Sequence, residues 1–256
     1  MQQAEAEESV VAVTATLAEQ EQADASNLGD PLPQQQRKQT PLPKLKLILC
    51  ILLTLSDAFC FTLPFPFIPF MVDDFKIASS TEQVGYFVGL LQSAVPMAQI
   101  FTSFFWGFAS DKLGHKPIML MSLFCNALAM LAFGFSTNYF MAFACRFFNG
   151  IFDGVTPVSK SFIVSITDNT NQALGFTAIG VSWGIGTIVG QSLGGFLSQP
   201  AQKLELFNNA LFVKFPYLLP CLFTSVMNIL SFVLVLVFLR PAQSRAKKPQ
   251  QQEEEE

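Results

Sequence analysis

Charge is scarce in this sequence. Only 13% of its 256 residues are Asp, Glu, Lys or Arg, about half the ~25% usual in soluble proteins. The 15 Lys and Arg are outnumbered by 19 Asp and Glu, which excludes the clustered positive charge that nucleic-acid binding needs. Histidine occurs once, at His115, and no Cys/His group has the ligand spacing of a zinc site. The five cysteines, Cys50, Cys60, Cys125, Cys145 and Cys221, are an odd set in apolar runs with no Cys-x-x-Cys pair. They read as small buried apolar residues rather than a disulfide framework. Nucleotide loops, nucleophile–base pairs and paired-carboxylate spacings are lacking too. The chain is therefore not read as an enzyme: it has no catalytic or metal-ligating residues and needs no cofactor.

What it does have is apolar length. Hydrophobic residues make up 51% of the chain, 28 of them Phe, and the mean hydropathy is +0.41. Charge is distributed unevenly along it. Residues 1–43 carry −5, residues 241–256 carry −1, and the stretch 44–240 carries +2. Both ends are rich in Gln, Glu, Pro and Ala, a composition that buries too little surface to offset ordering entropy. They are expected to be disordered tails. The first starts with acids and has no basic region before an apolar stretch, so it does not read as a secretory signal.

A membrane-crossing helix needs about 20 apolar residues. Six such segments fit, at roughly 47–70, 84–109, 117–135, 139–165, 173–197 and 216–239. The expected class is an all-α integral membrane protein with three domains: an acidic tail (1–43), a six-span core (44–240) and a charged tail (241–256). With the N-terminus in the cytoplasm, ten Lys and Arg flank the spans inside and only Lys76, Lys203 and Lys214 lie outside. That excess predicts that both termini are cytoplasmic.

Four ionisable side chains fall inside spans: Asp57, Arg146, Asp153 and Lys160. Such residues are costly in a bilayer and are functional hypotheses by default. Arg146, Asp153 and Lys160 are spaced by seven, which on one continuous helix puts them on a single face about 10 Å apart. They are expected to line a cavity, although Lys160 is near enough to the inner end to reach the headgroups instead. Asp57 either carries a proton or pairs permanently with Arg146 or a neighbouring helix. Beyond it, Pro64, Pro66 and Pro69 break helical bonding in the outer half of the first span.

The frame Gly107-Phe-Ala-Ser-Asp111-Lys112-Leu-Gly114-His115-Lys116 closes the second span. It resembles the signature loop of the major facilitator superfamily, with His115 where Arg is more usual. Arg146-Phe-Phe-Asn-Gly150 resembles the superfamily's fourth-span Arg-x-x-x-Gly pattern. In the fifth span, Gly186, Gly190, Gly194 and Gly195 form a small-residue face suited to close helix packing. They resemble the motif associated with antiporters, with Gln191 in place of its Pro. Gly184-x-Gly186-x-x-x-Gly190 is not a dinucleotide site, because no strand precedes it.

Two further stretches resemble fungal proton-coupled drug exporters and plant zinc-induced facilitators. One runs from Lys160 through Ile166-Thr167-Asp168 to Asn171-Gln172-Ala173. The other joins Gly194 to Lys203 and then Phe215-Pro216-Tyr217-Leu-Leu-Pro220-Cys221. Ser165 stands where an acid is expected, and Asp153 where an uncharged polar residue is.

The resemblance implies half of a major facilitator fold, a six-helix bundle of two inverted three-helix repeats. It implies secondary transport of a small organic solute, export- or antiport-like and driven by a proton gradient. Asp57, Arg146, Asp153 and Lys160 would be the cavity charges, and the Gly107–Lys116 loop a gate. Beyond lipid and solute, the expected partner is a second six-helix half, either another copy or a separate chain. The alternatives are a piece of a longer transporter, or a non-transporting half that pairs with or regulates a full-length relative. Vacuolar and plasma membranes remain equally open.

Overall fold

The structure, a computed structural model, describes residues 43–168, 170–200 and 209–239. The expected disordered tails, 1–43 and 241–256, lie outside the described residues except for Pro43, as does most of the segment before the sixth span. Nine helices are described: α1 Lys44–Thr62, α2 Ile68–Asp74, α3 Thr81–Leu113, α4 His115–Gly134, α5 Tyr139–Phe152, α6 Val155–Ile166, α7 Gln172–Leu197, α8 Ala210–Lys214 and α9 Leu218–Phe238.

Starts and stops follow local chemistry. Ser80 caps α3 by accepting from the Gln83 amide, and Asn138 caps α5 by accepting from Met141, the usual role of these side chains. Gly114 separates α3 from α4 at φ 90°, a conformation that disfavours a side chain.

Among the described residues, five helices are long and apolar enough to cross a membrane: α1, α3, α4, α7 and α9. The fourth expected span, 139–165, is not one helix. It is α5 and α6 joined at Asp153 and Gly154, so this crossing is built from two helices. The first crossing also breaks, between α1 and α2, where Pro64 and Pro66 lack the N–H groups that would continue the ladder.

Each break is satisfied by a different span. At Asp153–Gly154, Trp106 Nε1 donates to the Ile151 carbonyl (2.8 Å), and Ser122 Oγ donates to that of Phe152 (2.6 Å). The Gly154 amide in turn donates to Ser122 Oγ (2.9 Å). These bonds matter because a free backbone group in lipid costs several kcal/mol by order of magnitude.

Packing follows the inverted repeat. The first span packs on the fifth and sixth, the fourth on the second and third, and the third on the sixth. Exchanging spans one to three with four to six maps this pattern onto itself. Spans three apart run in opposite directions, so the two repeats are inverted.

Glycines let the repeats approach. A Cβ at Gly186 would meet Ala58 at 2.6 Å, one at Gly190 would meet Thr62 at 2.8 Å, and one at Gly194 would run into the Leu63 carbonyl oxygen. Gly195 has only ordinary contact with Pro66. Gln191 is exposed, and α7 continues through it.

The interior is layered. One apolar cluster gathers Leu49, Leu53, Trp106, Leu123, Phe162 and Val235. A second gathers Leu63, Phe67, Leu91, Phe133, Tyr139 and Cys221. On the first, third, fourth and sixth spans these two sets bracket buried polar residues, and Asp57, Asn126, Arg146, Asn149, Asp153 and Asn228 form a layer between them.

Candidate functional site

The site is built where that polar layer meets the two broken spans. In an unbroken α1, the Cys60 carbonyl would accept from residue 64 and that of Phe61 from residue 65. Residue 64 is Pro, and the Phe65 amide turns instead to Thr62. Arg146 fills both vacancies: its Nη1 donates to the Cys60 carbonyl (3.3 Å) and its Nη2 to that of Phe61 (3.4 Å). The side chain is fully buried, and its guanidinium lies over the Phe133 ring, 5.8 Å from the centroid.

Asp57 therefore does not pair with Arg146. Its Oδ2 accepts from Thr156 Oγ1 at 2.7 Å, the first turn of α6. Its carboxyl is near enough to that of Asp153 for the two to interact electrostatically. Asp153 Oδ2 accepts from Gln99 of the second span. Both carboxyl groups are buried, and each keeps one oxygen, Oδ1, with no donor. Asn149 Nδ2 bridges Asn126 Oδ1 (3.1 Å) and the Cys60 sulfur (3.3 Å), fixing the third and fourth spans around the pair.

The break at Asp153–Gly154 interrupts the single helical stripe that seven-residue spacing implied. It separates the three charges by environment. Arg146 is fully buried, Asp153 is 6% exposed, and Lys160 is exposed. Two adjoining cavities open beside Asp153 and Lys160, while Arg146 and Asp57, expected as cavity charges, line neither because their side chains are turned into the packed interior. One, of about 400 Å³, is lined by Phe61, Gln99, Asp153, Thr156 and Trp183 among others. The other, of about 350 Å³, reaches Lys160 and shares Thr156 and Trp183 with the first. Spans one, two, four and five supply these walls.

The Gly107–Lys116 frame, expected as a loop, is helical except at Gly114, and its partners are not those of the pair. Ser161 Oγ donates to Asp111 Oδ1 (3.4 Å) and sits 3.1 Å from His115 Nε2. Lys116 donates to the Leu236 carbonyl near the end of the sixth span (2.9 Å). Lys112 lies over the Phe108 ring, and Ser110 bonds back to the Gly107 carbonyl. The loop is thus tied to spans four and six through Ser161 and Leu236.

Five residues central to this geometry were not singled out from the sequence: Gln99, Asn126, Asn149, Thr156 and Ser161. The amides carried a usable signal, being polar groups in the middle of apolar runs. Thr156 and Ser161 carried none, since helical Thr and Ser usually bond their own backbone.

A family model described as Major Facilitator Superfamily matches residues 50–256. The chain belongs to the major facilitator superfamily. Its apolar helices make this member an integral membrane protein. It is 39% identical to Protein ZINC INDUCED FACILITATOR-LIKE 1 of Arabidopsis thaliana over 65% of this chain and 36% of that protein. It is 32% identical to the multidrug transporter mfsB of Aspergillus fumigatus over 68% of this chain and 30% of that protein. A crystal structure of the human organic anion transporter MFSD10 shares the fold, with a TM-score of 0.64 at 19% identity. That match covers 79% of this chain and 49% of the other. This facilitator chain thus spans about a third of the length of the curated relatives and half of the solved one.

Proposed function

We propose that the chain moves a small organic solute across a membrane by secondary active transport coupled to protons. The observation that carries this reading is that Asp57 and Asp153, neighbouring carboxyl groups from two spans, are both buried, with Asp153 lining a cavity. Two neighbouring carboxylates away from water do not both ionise, because like charges repel strongly where the dielectric is low. The pair holds one proton and one negative charge, which offsets the charge of Arg146.

Thr156 connects that proton to the solute. Its hydroxyl donates to Asp57, and the residue lines both cavities. A solute drawing on Thr156 withdraws a donor from the pair and changes how firmly the proton is held. Opposite proton supply on the two membrane faces then gives the cycle its direction. The loop at Asp111 and His115, latched through Ser161, is the gate at one end. The Lys and Arg excess beside the spans supports a cytoplasmic position for both chain ends, and the likeness to a multidrug transporter supports export by exchange with protons.

Proteoliposomes with an imposed pH gradient test this. Uptake of at least one of a panel of organic solutes should depend on the gradient and fall about tenfold or more in Asp57→Asn and Asp153→Asn. Gradient-driven uptake left intact by both substitutions contradicts it.

The coverage of about half a solved facilitator favours a second reading, a six-helix half that works only with another half or by regulating a full-length relative. Its mark is uptake that appears or changes only when a second half is co-reconstituted.

A further inference from the structure

The cavity nearer Lys160 has a chemistry of its own. Lys160 is exposed there, and among the described residues its ammonium makes no hydrogen bond or ion pair. Beside it Ser159 is 1% exposed, and its hydroxyl oxygen has no hydrogen-bond partner. The adjacent Cys50 thiol is directed to the Ser159 carbonyl instead, at 3.8 Å. A buried hydroxyl without a partner is uncommon in a folded protein and calls for an explanation.

The remaining wall is apolar and unfilled. Trp183 and Ile179 line it, and a Cβ added at Gly180 would meet nothing within 4 Å. Among the described residues no acid lines this cavity. Asp153 lines the adjoining one, and the Thr156 hydroxyl between them is committed to Asp57. A cation, a spare hydroxyl donor and an aromatic wall in about 350 Å³ match the range of pockets that hold drug-sized ligands, roughly 300–1,000 Å³.

We propose that this cavity binds an amphipathic organic anion. Its carboxylate or sulfonate accepts from Lys160 Nζ and Ser159 Oγ, charge-assisted bonds of the stronger kind. Its aromatic or aliphatic body lies on Trp183 and Ile179. A lysine merely reaching for headgroups would need neither the unpartnered hydroxyl nor the open wall. The proposal rests on the transport reading for the purpose of the bound anion, but binding itself is measurable without transport.

The test uses the chain in phosphatidylcholine nanodiscs, with 5-dimethylaminonaphthalene-1-sulfonate as anion and the uncharged 5-dimethylaminonaphthalene-1-sulfonamide as its isostere. Binding is read from probe emission excited through tryptophan, with empty nanodiscs subtracted. The sulfonate should bind saturably and more tightly than the sulfonamide. Trp183→Phe should remove most of the sensitised emission while Trp106 remains. Lys160→Gln should weaken the sulfonate about tenfold or more, the scale of a charge-assisted hydrogen bond, and leave the sulfonamide unchanged. Ser159→Ala should weaken the sulfonate severalfold, and Lys160→Arg should largely preserve it.

Equal binding of the two probes, or sulfonate binding indifferent to Lys160→Gln, overturns the proposal. Displacement of the sulfonate by phosphatidylglycerol overturns it in favour of a lipid headgroup. Gradient-driven uptake without this anion selectivity leaves the transport reading standing alone. Anion selectivity without any gradient-driven uptake leaves the site standing and removes that reading.

Discussion

Arg146 and Asp153 sit seven residues apart, yet they have different work to do. Arg146 spends its donors on two carbonyls that the Pro64 break frees in the first span, which makes it a positioning residue. Lys lacks the planar fork needed to reach both. Arg146→Lys should therefore lower the melting temperature in detergent despite keeping the charge, and Arg146→Ala should lower it further. A melting temperature unchanged by Arg146→Lys would argue against this role.

Thr156→Val is the complementary probe, since it is nearly isosteric and removes the donor to Asp57. It should leave the fold intact and uncouple solute uptake from the pH gradient. Asp57 and Arg146 were legible in the sequence as residues too costly to be idle, but their partners were not. Which carbonyl lacks an N–H and which hydroxyl reaches a carboxylate are facts of the folded chain.

At the scale of elements, breaks and glycines set the packing. The fourth span breaks at Asp153–Gly154, and Ser122 of the third span bonds both sides of the break. Ser122→Ala should cost about 1–3 kcal/mol, the usual penalty for leaving buried polar groups unsatisfied, as measured by unfolding in mixed micelles. The fifth span gives a contrast within one helix. Gly194→Ala drives a methyl into the Leu63 carbonyl and should cost about 1–3 kcal/mol as overpacking. Gly184→Ala meets open space and should cost nothing.

The sequence showed the small-residue face and the proline break plainly, because both are local patterns. It did not show the break in the fourth span. Asp-Gly inside an apolar run carries little warning, and the groups that make the break tolerable, Trp106 and Ser122, come from other spans.

For the molecule as a whole, hydrophobic length and loop punctuation were enough to read six crossings, and short motifs were enough to place the family. The polar layer was not legible as a layer. It arises because residues far apart in sequence reach the same depth when spans of alternating direction pack together. The pairing of Asp57 with Asp153 belongs to this scale, since no spacing rule joins carboxylates from the first and fourth spans.

That pair, holding one proton between two buried carboxyl groups, is the centre of the account. Infrared spectroscopy of the purified chain at neutral pH tests it directly, because the carboxylic-acid C=O stretch reports a protonated Asp, whereas carboxyl groups in water are ionised at that pH. The account predicts a buried carboxylic-acid band in the wild type, shifted in each of Asp57→Asn and Asp153→Asn and absent from the double variant. A wild-type spectrum without that band, or a band that survives in the double variant, would contradict it.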